Sequence, residues 1–331
     1  MESEYNNFAQ PVQKRSTGWK IFFGIVLFFS ILANLVMVVI LVGTVAVFTA
    51  GTTEGLIEET IVSGPGANKI AVIRLEGIIN RETADEIIGH IKSAQKDKNV
   101  KAIIIRIFSP GGSVFASDRI YNQIMDFRQQ TNKPVVAFME GLAASGGYYT
   151  SVACDKIIAE PTTITGSIGV IMGHFVLRGL LEEKLGIQPV VIKSGLKKDW
   201  PSSFSDVTDE QKEYLQTKLI GPAYERFIQL VADGREELTL EQVRPLADGS
   251  IYNADEALAN KLIDDIGYFD AAVELAKTLA GIEKVRVVEY KKPFSLATWL
   301  DAKAAILPRL DRTGLYELTT PQLMYIWSVE Y

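Results

Sequence analysis

Cysteine and histidine are almost missing from this chain, which has one Cys and two His in 331 residues. Cys154 has no internal partner, so no disulfide braces the fold. It stands between Ala153 and Asp155 at the end of an apolar stretch and reads as a small buried hydrophobe. No Cys/His cluster has metal-ligand spacing, so no metal site and no cofactor is expected. Basic excess is also lacking, with a net charge of −6. The first 20 residues carry Lys14, Arg15 and Lys20 against Glu2 and Glu4, which leaves −7 for the rest. Nucleic acid rewards clustered Lys and Arg, so it is excluded as a partner. Three signatures are absent: Gly-x-Ser-x-Gly, the Gly-Lys-Ser/Thr of a phosphate loop, and a repeat of fixed period.

What is abundant is apolar sequence, 47% of residues, and much of it falls in one run. Residues 21–51 are uncharged, and Asn34 is their one strongly polar member. A helix crosses the hydrocarbon core in about 20 residues, and the apolar part of a cleaved signal is only about 7–15 residues long. The run therefore reads as a retained transmembrane anchor, assigned to 19–51, after a cytoplasmic tail of 1–18. Lys14, Arg15 and Lys20 precede it, and Glu54, Glu58 and Glu59 follow it. The positive-inside rule puts the N-terminus in the cytoplasm and the remainder across the membrane. The boundaries that follow are a linker at 52–68, a catalytic domain at 69–281 and a C-terminal strand, helix and tail at 282–331.

Within the domain, short apolar runs at 70–75, 102–107, 135–139, 156–159 and 189–192 read as strands. Helix-period segments at 84–94, 117–129 and 176–185 separate several of them. This alternation predicts an α/β domain with parallel pairing. Residues 285–290 read as an edge strand and 294–306 as a helix. Leu323-Met-Tyr-Ile-Trp327 is an apolar tail, costly to leave in water. It is expected either to dock near a catalytic groove or to pack at an interface.

The unusual chemistry falls at the strand ends. Ser145 stands in Gly-Leu-Ala-Ala-Ser-Gly-Gly-Tyr-Tyr at 141–149, directly after an apolar run. Small neighbours let a substrate carbonyl approach the hydroxyl, although Ser145 as a plain helix cap is the bland alternative. Ser-Pro-Gly-Gly at 109–112 ends another strand. Glycine amides beside a helix start suit an oxyanion, although a simple turn would look the same. Ser167 is a further hydroxyl among small residues. If Ser145 is a nucleophile, its base is either His174 or a lysine, because His90 falls in an amphipathic helix and reads as a surface residue. Lys193, Lys197 and Lys198 cluster after the run at 189–192. A lysine folded into a dry site loses stabilisation of its charge, and a neutral amine can deprotonate a serine.

Taken together, Ser-Pro-Gly-Gly (109–112), Ala-Ala-Ser-Gly-Gly-Tyr-Tyr (143–149), Thr-Gly-Ser-Ile-Gly-Val-Ile (165–171) and Ile-Lys-Ser-Gly-Leu-Lys-Lys-Asp (192–199) resemble the signal peptide peptidase A family. These are bacterial membrane-anchored serine proteases, and the short single-domain form is the better match. The resemblance covers roughly 69–270 and includes Leu-Ala-Asp-Gly-Ser-Ile-Tyr at 246–252. It implies a Clp/crotonase-like fold of repeated ββα units, with Ser145 as nucleophile. The base would be Lys198, three residues past Gly195 and before Asp199, with Lys197 an adjacent rival. Ser167 would orient the lysine amine. Gly111 and Gly112, with an amide near Gly146, would form the oxyanion hole, and His174 would have no role. The resemblance also implies remnant signal peptides and other apolar peptides as substrates. It implies a homo-oligomeric ring, an octamer, with sites lined by neighbouring subunits, and a place on the outer side of the bacterial cytoplasmic membrane. A catalytically silent membrane scaffold or peptide-binding protein on the same fold is the alternative. Acyl-CoA chemistry fits poorly with a domain outside the cytoplasm.

Overall fold

The computed structural model describes residues 17–50, 56–291 and 322–327. Helix α1 (Thr17–Ala50) belongs to one unit, and Gly55–Lys292 with Leu307–Tyr331 forms another. Residues 18–44 of α1 expose apolar side chains all round, and Gly18–Thr44 is long and apolar enough to cross a membrane, with a mean hydropathy of 3.0. Two polar side chains on it bond to the helix backbone: Asn34 Nδ2 donates to the Ser30 carbonyl at 2.7 Å and Thr44 Oγ1 to the Ile40 carbonyl at 2.9 Å, so each spends a donor within the helix.

The larger unit opens with β1 (Ile57–Val62), β2 (Lys69–Ile79), α2 (Arg81–Lys96), β3 (Val100–Ser113), α3 (Val114–Thr131), β4 (Val135–Ala144) and α4 (Gly146–Ser151). Next come β5 (Lys156–Ala159), β6 (Ile164–Gly166), β7 (Ile171–Met172), α5 (Asp209–Leu215), α6 (Gly221–Gly234) and α7 (Leu240–Val243). The remaining elements are β8 (Ile251–Asn253), α8 (Ala254–Ala259), β9 (Asp265–Ile266), α9 (Phe269–Ala280), β10 (Arg286–Lys291) and β11 (Leu323–Ile326).

The main sheet runs β1-β10-β2-β3-β4-β5-β9, parallel except for β1, which is antiparallel to β10. Its central strands are covered on both faces, which is why they read as nearly unbroken apolar runs. Alternate residues serve opposite faces. Ile73, Leu75, Ile103, Ile105 and Ile107 pack with Ile87 and Ile91 of α2 and Ile120 and Phe127 of α3. Ile70, Val72, Ile104, Val136 and Phe138 pack instead with Ala272, Val273 and Ala276 of α9. Each fully buried Ile or Val contributes about 1.5–3 kcal/mol relative to exposure. Asn80 caps α2 by accepting from the Thr83 amide at 2.9 Å, and Asn132 ends α3 in the left-handed conformation, φ 54°.

Beyond residue 140 the sheet divides. The first part of β4 pairs with β5, but Leu142, Ala143 and Ala144 pair with β6, and β6 pairs with β8. The end of β4 stays paired with β3 through Ala143 and Ser109, beside the glycines that end β3, while its other edge passes from β5 to β6.

Five expectations are corrected here. The span read as a linker contains β1, whose residues alternate poorly and lie exposed. Because β1 covers β10, the strand read as an edge at 285–290 is internal. The run at 189–192 forms no strand, and Val190 and Ile192 are 83% and 95% exposed. The helix expected at 176–185 is reduced to a short π turn, Leu180–Lys184. His90 is not a surface residue: it is buried on the inner side of α2, its ring 6.3 Å from that of Tyr290. The helix expected at 294–306 lies outside the described residues.

Candidate active site

Ser145 joins β4 to α4 and is buried, with φ 53° and ψ −111°. A residue with a Cβ adopts that backbone only at a cost of about 1–3 kcal/mol, so the surrounding bonds must impose it. They are short. The Ser145 amide donates to the Gly166 carbonyl at 2.7 Å, and the Ser145 carbonyl accepts from the Tyr149 amide at 2.8 Å. The turn thus has the strand–Ser–helix form of a nucleophile elbow without its usual sequence.

Ser167 is brought beside it by register. Ala144 pairs with Gly166 in parallel, so Ser145 and Ser167 are the next residues on neighbouring strands. Ser167 also has a positive φ, 49°, and its amide donates to the Ser250 carbonyl at 2.7 Å. An open cavity of about 560 Å³ adjoins Ser167, lined also by Val170, Ile171, Tyr224 and Trp327.

The glycines converge on the same point. A methyl group placed on Gly146 would meet Ser117 Oγ at 2.6 Å and the Gly112 nitrogen at 3.1 Å. One placed on Gly111, φ 100°, would lie 2.6 Å from the Gly146 nitrogen. The Gly111 amide is already engaged, donating to Ser109 Oγ at 3.0 Å, while Ser109 donates to the Gly77 carbonyl at 2.6 Å. A side chain at Gly111 would therefore fill the space beside the Gly146 amide.

This groove is occupied by the chain's own tail. Strand β11 lies antiparallel between β3 and β7, with Met324, Tyr325 and Ile326 opposite Ser113, Gly112 and Gly111. Of the two expectations for the tail, docking at the groove is the one realised. The Trp327 amide donates to the Pro110 carbonyl at 2.8 Å. Hydrogen-bonded pairs alternate along an antiparallel ladder, so Tyr325–Gly112 is the next such pair and the Gly112 N–H faces the Tyr325 carbonyl. A methyl group on Gly111 would sit 2.0 Å from that carbonyl oxygen. The Tyr325 carbonyl thus lies among Gly111, Gly112 and Gly146, next in sequence to Ser145.

Lys198 is not brought to this point. It sits on an exposed turn, Leu196–Asp199, where the burial expected of a catalytic lysine is missing. Lys193 pairs with Asp199 at 2.7 Å, and the Lys197 ammonium lies 5.0 Å over the Trp200 ring and 4.4 Å over Tyr214. His174 is in the stretch after β7, and its Nε2 has no hydrogen-bond partner. Cys154 is buried as expected, and burial pushes its thiol well above the usual range.

Sequence reasoning missed the roles of four residues. Ser117 is wholly buried on the first turn of α3 against Gly146. Tyr149 and Phe227 form an aromatic pocket around Tyr325. Asp118 accepts from the Tyr149 hydroxyl at 2.6 Å, and both burial and this carboxylate hold the phenol above its usual range. The Tyr-Tyr pair at 148–149 was the available signal for that pocket, but nothing local pointed to Phe227.

The sequence model of peptidase family S49 matches residues 127–283, and that of the Clp proteases matches 65–164. A putative signal peptide peptidase SppA of Enterococcus faecium is 34% identical over 291 residues, covering 84% of this chain and 82% of that protein. A putative protease of Synechocystis is 38% identical over 252 residues, 75% of this chain and 89% of its own length. Protease 4 of Haemophilus influenzae is 35% identical over 250 residues, 73% of this chain but 39% of that longer protein. The fold is Clp-protease-like, the activity is that of a serine-type protease, and the chain belongs to peptidase family S49.

Proposed function

We propose that this protease is anchored by α1 and cuts apolar peptides, remnant signal peptides among them, with Ser145 as nucleophile and Lys198 as base. The observation that carries the reading is β11. It lies extended along β3 with one carbonyl among the glycines beside Ser145, the arrangement a peptide substrate requires. Ser145 Oγ attacks that carbonyl carbon and passes its proton to a neutral lysine amine. The developing oxyanion takes hydrogen bonds from the Gly112 and Gly146 amides. The C–N bond breaks as the lysine ammonium returns the proton to the leaving amine. Water, deprotonated by the same lysine, then hydrolyses the acyl ester.

The exposed turn of Lys198 supports a site completed between subunits. Val190, Ile192 and Leu196 around it are 83%, 95% and 79% exposed, an apolar strip that a neighbouring copy would cover. The open cavity beside Ser167 gives a lysine from that copy room to enter, and the Ser167 hydroxyl a place to hold the amine. An ammonium drawn from water into such an interface gives up its proton more readily. On this reading the anchor keeps the short N-terminal tail in the cytoplasm and the catalytic unit on the outer side, in a ring.

A serine-directed fluorophosphonate tests it. Labelling is expected at Ser145 and is lost in Ser145→Ala. Mixing Ser145→Ala with Lys198→Ala subunits is expected to restore part of the peptidase activity that each lacks alone. Label on another serine, with full activity in Ser145→Ala, would refute the assignment.

A further inference from the structure

The end of β3 carries a hydroxyl that the chemistry above leaves without a task. Ser109 is wholly buried and begins the run Ser-Pro-Gly-Gly. It stands where the sheet slips. Phe108 is opposite Glu76 and Gly111 is opposite Ile78, so Ser109 and Pro110 together face the single residue Gly77. This is a β-bulge with β3 as the bulged strand. In an unbroken parallel ladder the Gly111 amide, opposite Ile78, would reach the Gly77 carbonyl directly. The Ser109 hydroxyl fills that gap instead. It accepts from the Gly111 amide at 3.0 Å and donates to the Gly77 carbonyl at 2.6 Å. Its one proton is thereby spent, and the ladder is closed through a side chain.

The same run decides which amide faces the groove. At its end β3 is bordered by β2 on one edge and by β11 on the other. Pro110 has no N–H to offer. The Gly111 N–H turns to the β2 edge, into Ser109. The Gly112 N–H is then the first that faces β11, where the Tyr325 carbonyl lies. Ser109 is also seated against the nucleophile turn. A methyl group on Gly147 would meet the Ser109 carbonyl oxygen at 3.1 Å and its Cβ at 3.6 Å, and the Ser109 backbone pairs with Ala143 of β4.

We infer that Ser109 is a positioning residue for the oxyanion donors, a spacer that holds Gly111 and Gly112 off β2 and aims the Gly112 amide at the attacked carbonyl. The inference rests on the catalytic reading above and deepens it with a residue that acts on the reaction through Gly111. Without the hydroxyl, the Gly111 amide and the Gly77 carbonyl are left buried and unpaired. They meet by drawing the glycines toward β2, and the Gly112 amide retreats from the groove. Complete loss of one oxyanion donor costs about 100- to 1,000-fold in kcat. A donor displaced rather than removed costs less, about 10- to 100-fold. The other ladder bonds to the peptide remain, so KM moves by less than about 3-fold.

The test measures kcat and KM of full-length enzyme in detergent on a fluorogenic apolar peptide. Ser109→Ala is expected to lose about 10- to 100-fold in kcat with KM nearly unchanged. Ser109→Cys keeps the side chain's bulk and weakens both bonds, so it stays folded if Ser109→Ala does not and falls between alanine and wild type. Thr163→Ala is the control. Its buried hydroxyl donates to the Met139 carbonyl at 3.0 Å, a bond with no glycine amide in it, and its loss should lower the melting temperature without moving kcat. A peptidyl aldehyde, which adds to Ser145 as a hemiacetal, gives a second readout. Its inhibition constant should rise in step with the fall in kcat. An uncleaved peptide on Ser145→Ala, read by fluorescence anisotropy, should bind equally well with and without Ser109→Ala. Wild-type kcat in Ser109→Ala or Ser109→Cys overturns the inference, as does a kcat loss matched by peptide affinity or by Thr163→Ala. Absence of fluorophosphonate labelling in the wild type counts against the catalytic reading instead.

Discussion

Replacing Ser145 by glycine should separate the backbone's contribution from the hydroxyl's. Ser145→Ala removes the hydroxyl and keeps the Cβ at φ 53°, ψ −111°. Ser145→Gly removes both. At an unstrained buried site the change from Ala to Gly costs about 0.5–1 kcal/mol in backbone entropy and about 0.8 kcal/mol in lost burial. Ala144, one residue earlier in β4, is wholly buried with ordinary strand geometry and gives the control. Ala144→Gly should therefore lose about 1.3–1.8 kcal/mol. At Ser145 the release of about 1–3 kcal/mol of strain offsets this loss. Ser145→Gly should thus stand within about 1 kcal/mol of Ser145→Ala, or above it. In a domain of this size each kcal/mol moves the melting temperature by about 2–4 °C, so the control drops about 3–7 °C while the Ser145 pair nearly coincides. The assay is thermal unfolding of the detergent-solubilised protein followed by near-UV circular dichroism, with peptidase activity read in parallel and absent in both Ser145 variants. A Ser145→Gly deficit against Ser145→Ala as large as that of Ala144→Gly would show that the backbone stores no strain there, and the elbow argument would fail.

The tail, the lysines and an ion pair behind the sheet each give a further expectation. Tyr325→Ala removes a buried ring and its hydrogen bond, about 3–5 kcal/mol of docking, so hydrolysis of added peptide should rise, as should that of a chain ending at Thr319; unchanged rates in both would mean the tail does not compete. Lys198→Ala should abolish peptide cleavage with assembly intact, whereas Lys197→Ala, which loses only its contact with Trp200 and Tyr214, should keep most of it; the reverse pattern in a fluorogenic assay would move the base by one residue. Asp264 feels burial, which raises its carboxyl, but Arg235, the Ile157 amide and Lys156 hold it below the ordinary value overall. A carboxyl depressed in the folded state stabilises at pH above its unfolded value and loses that contribution as pH falls through the folded one. Asp264→Asn should therefore destabilise the fold at pH 7 and progressively less under acid, measured by urea denaturation at both pH values; a cost independent of pH would refute the linkage.

The sequence made the middle of the sheet legible because parallel strands buried on two faces leave long apolar runs. The runs at 70–75, 102–107, 135–139 and 156–159 all fall inside β2, β3, β4 and β5. It misled where apolar residues have no partner among the described residues. Residues 189–192 have strand composition, yet Val190 and Ile192 face solvent and no strand among the described residues pairs with them. It was silent on β1, whose Glu58 and Glu59 mask a strand that needs only β10 to form. At the site, the serines and glycines were legible because close backbone approach demands small residues in a row. The Tyr-Tyr pair at 148–149 left a trace of the aromatic pocket, but Phe227 and Asp118 did not, because a pocket built from three helices leaves no local spacing to read. The engaged amide of Gly111 was equally hidden, since it depends on the rotamer of Ser109.

The same distinction explains why half of the proposed chemistry is compact in one chain and half is not. Ser145, Ser167, Gly112 and Gly146 are fixed by parallel register and by hydrogen bonds that the chain makes with itself. The Lys198 amide donates to the Gly195 carbonyl at 3.1 Å, but its side chain stands exposed on that turn. Its turn is preceded by apolar residues that a stable folded chain would not leave in water unless another surface met them. A nucleophile held by strain and a base held by assembly would make activity conditional on the ring. A lone subunit would then carry a shaped groove, its own tail and no base. Dilution below the assembly limit should on that view silence peptide cleavage while leaving the Tyr325 pocket able to bind. Peptidase activity per subunit that stays constant as analytical ultracentrifugation shows the ring falling to monomers would place the base within one chain and return the search to the lysines that Ser145 can reach alone.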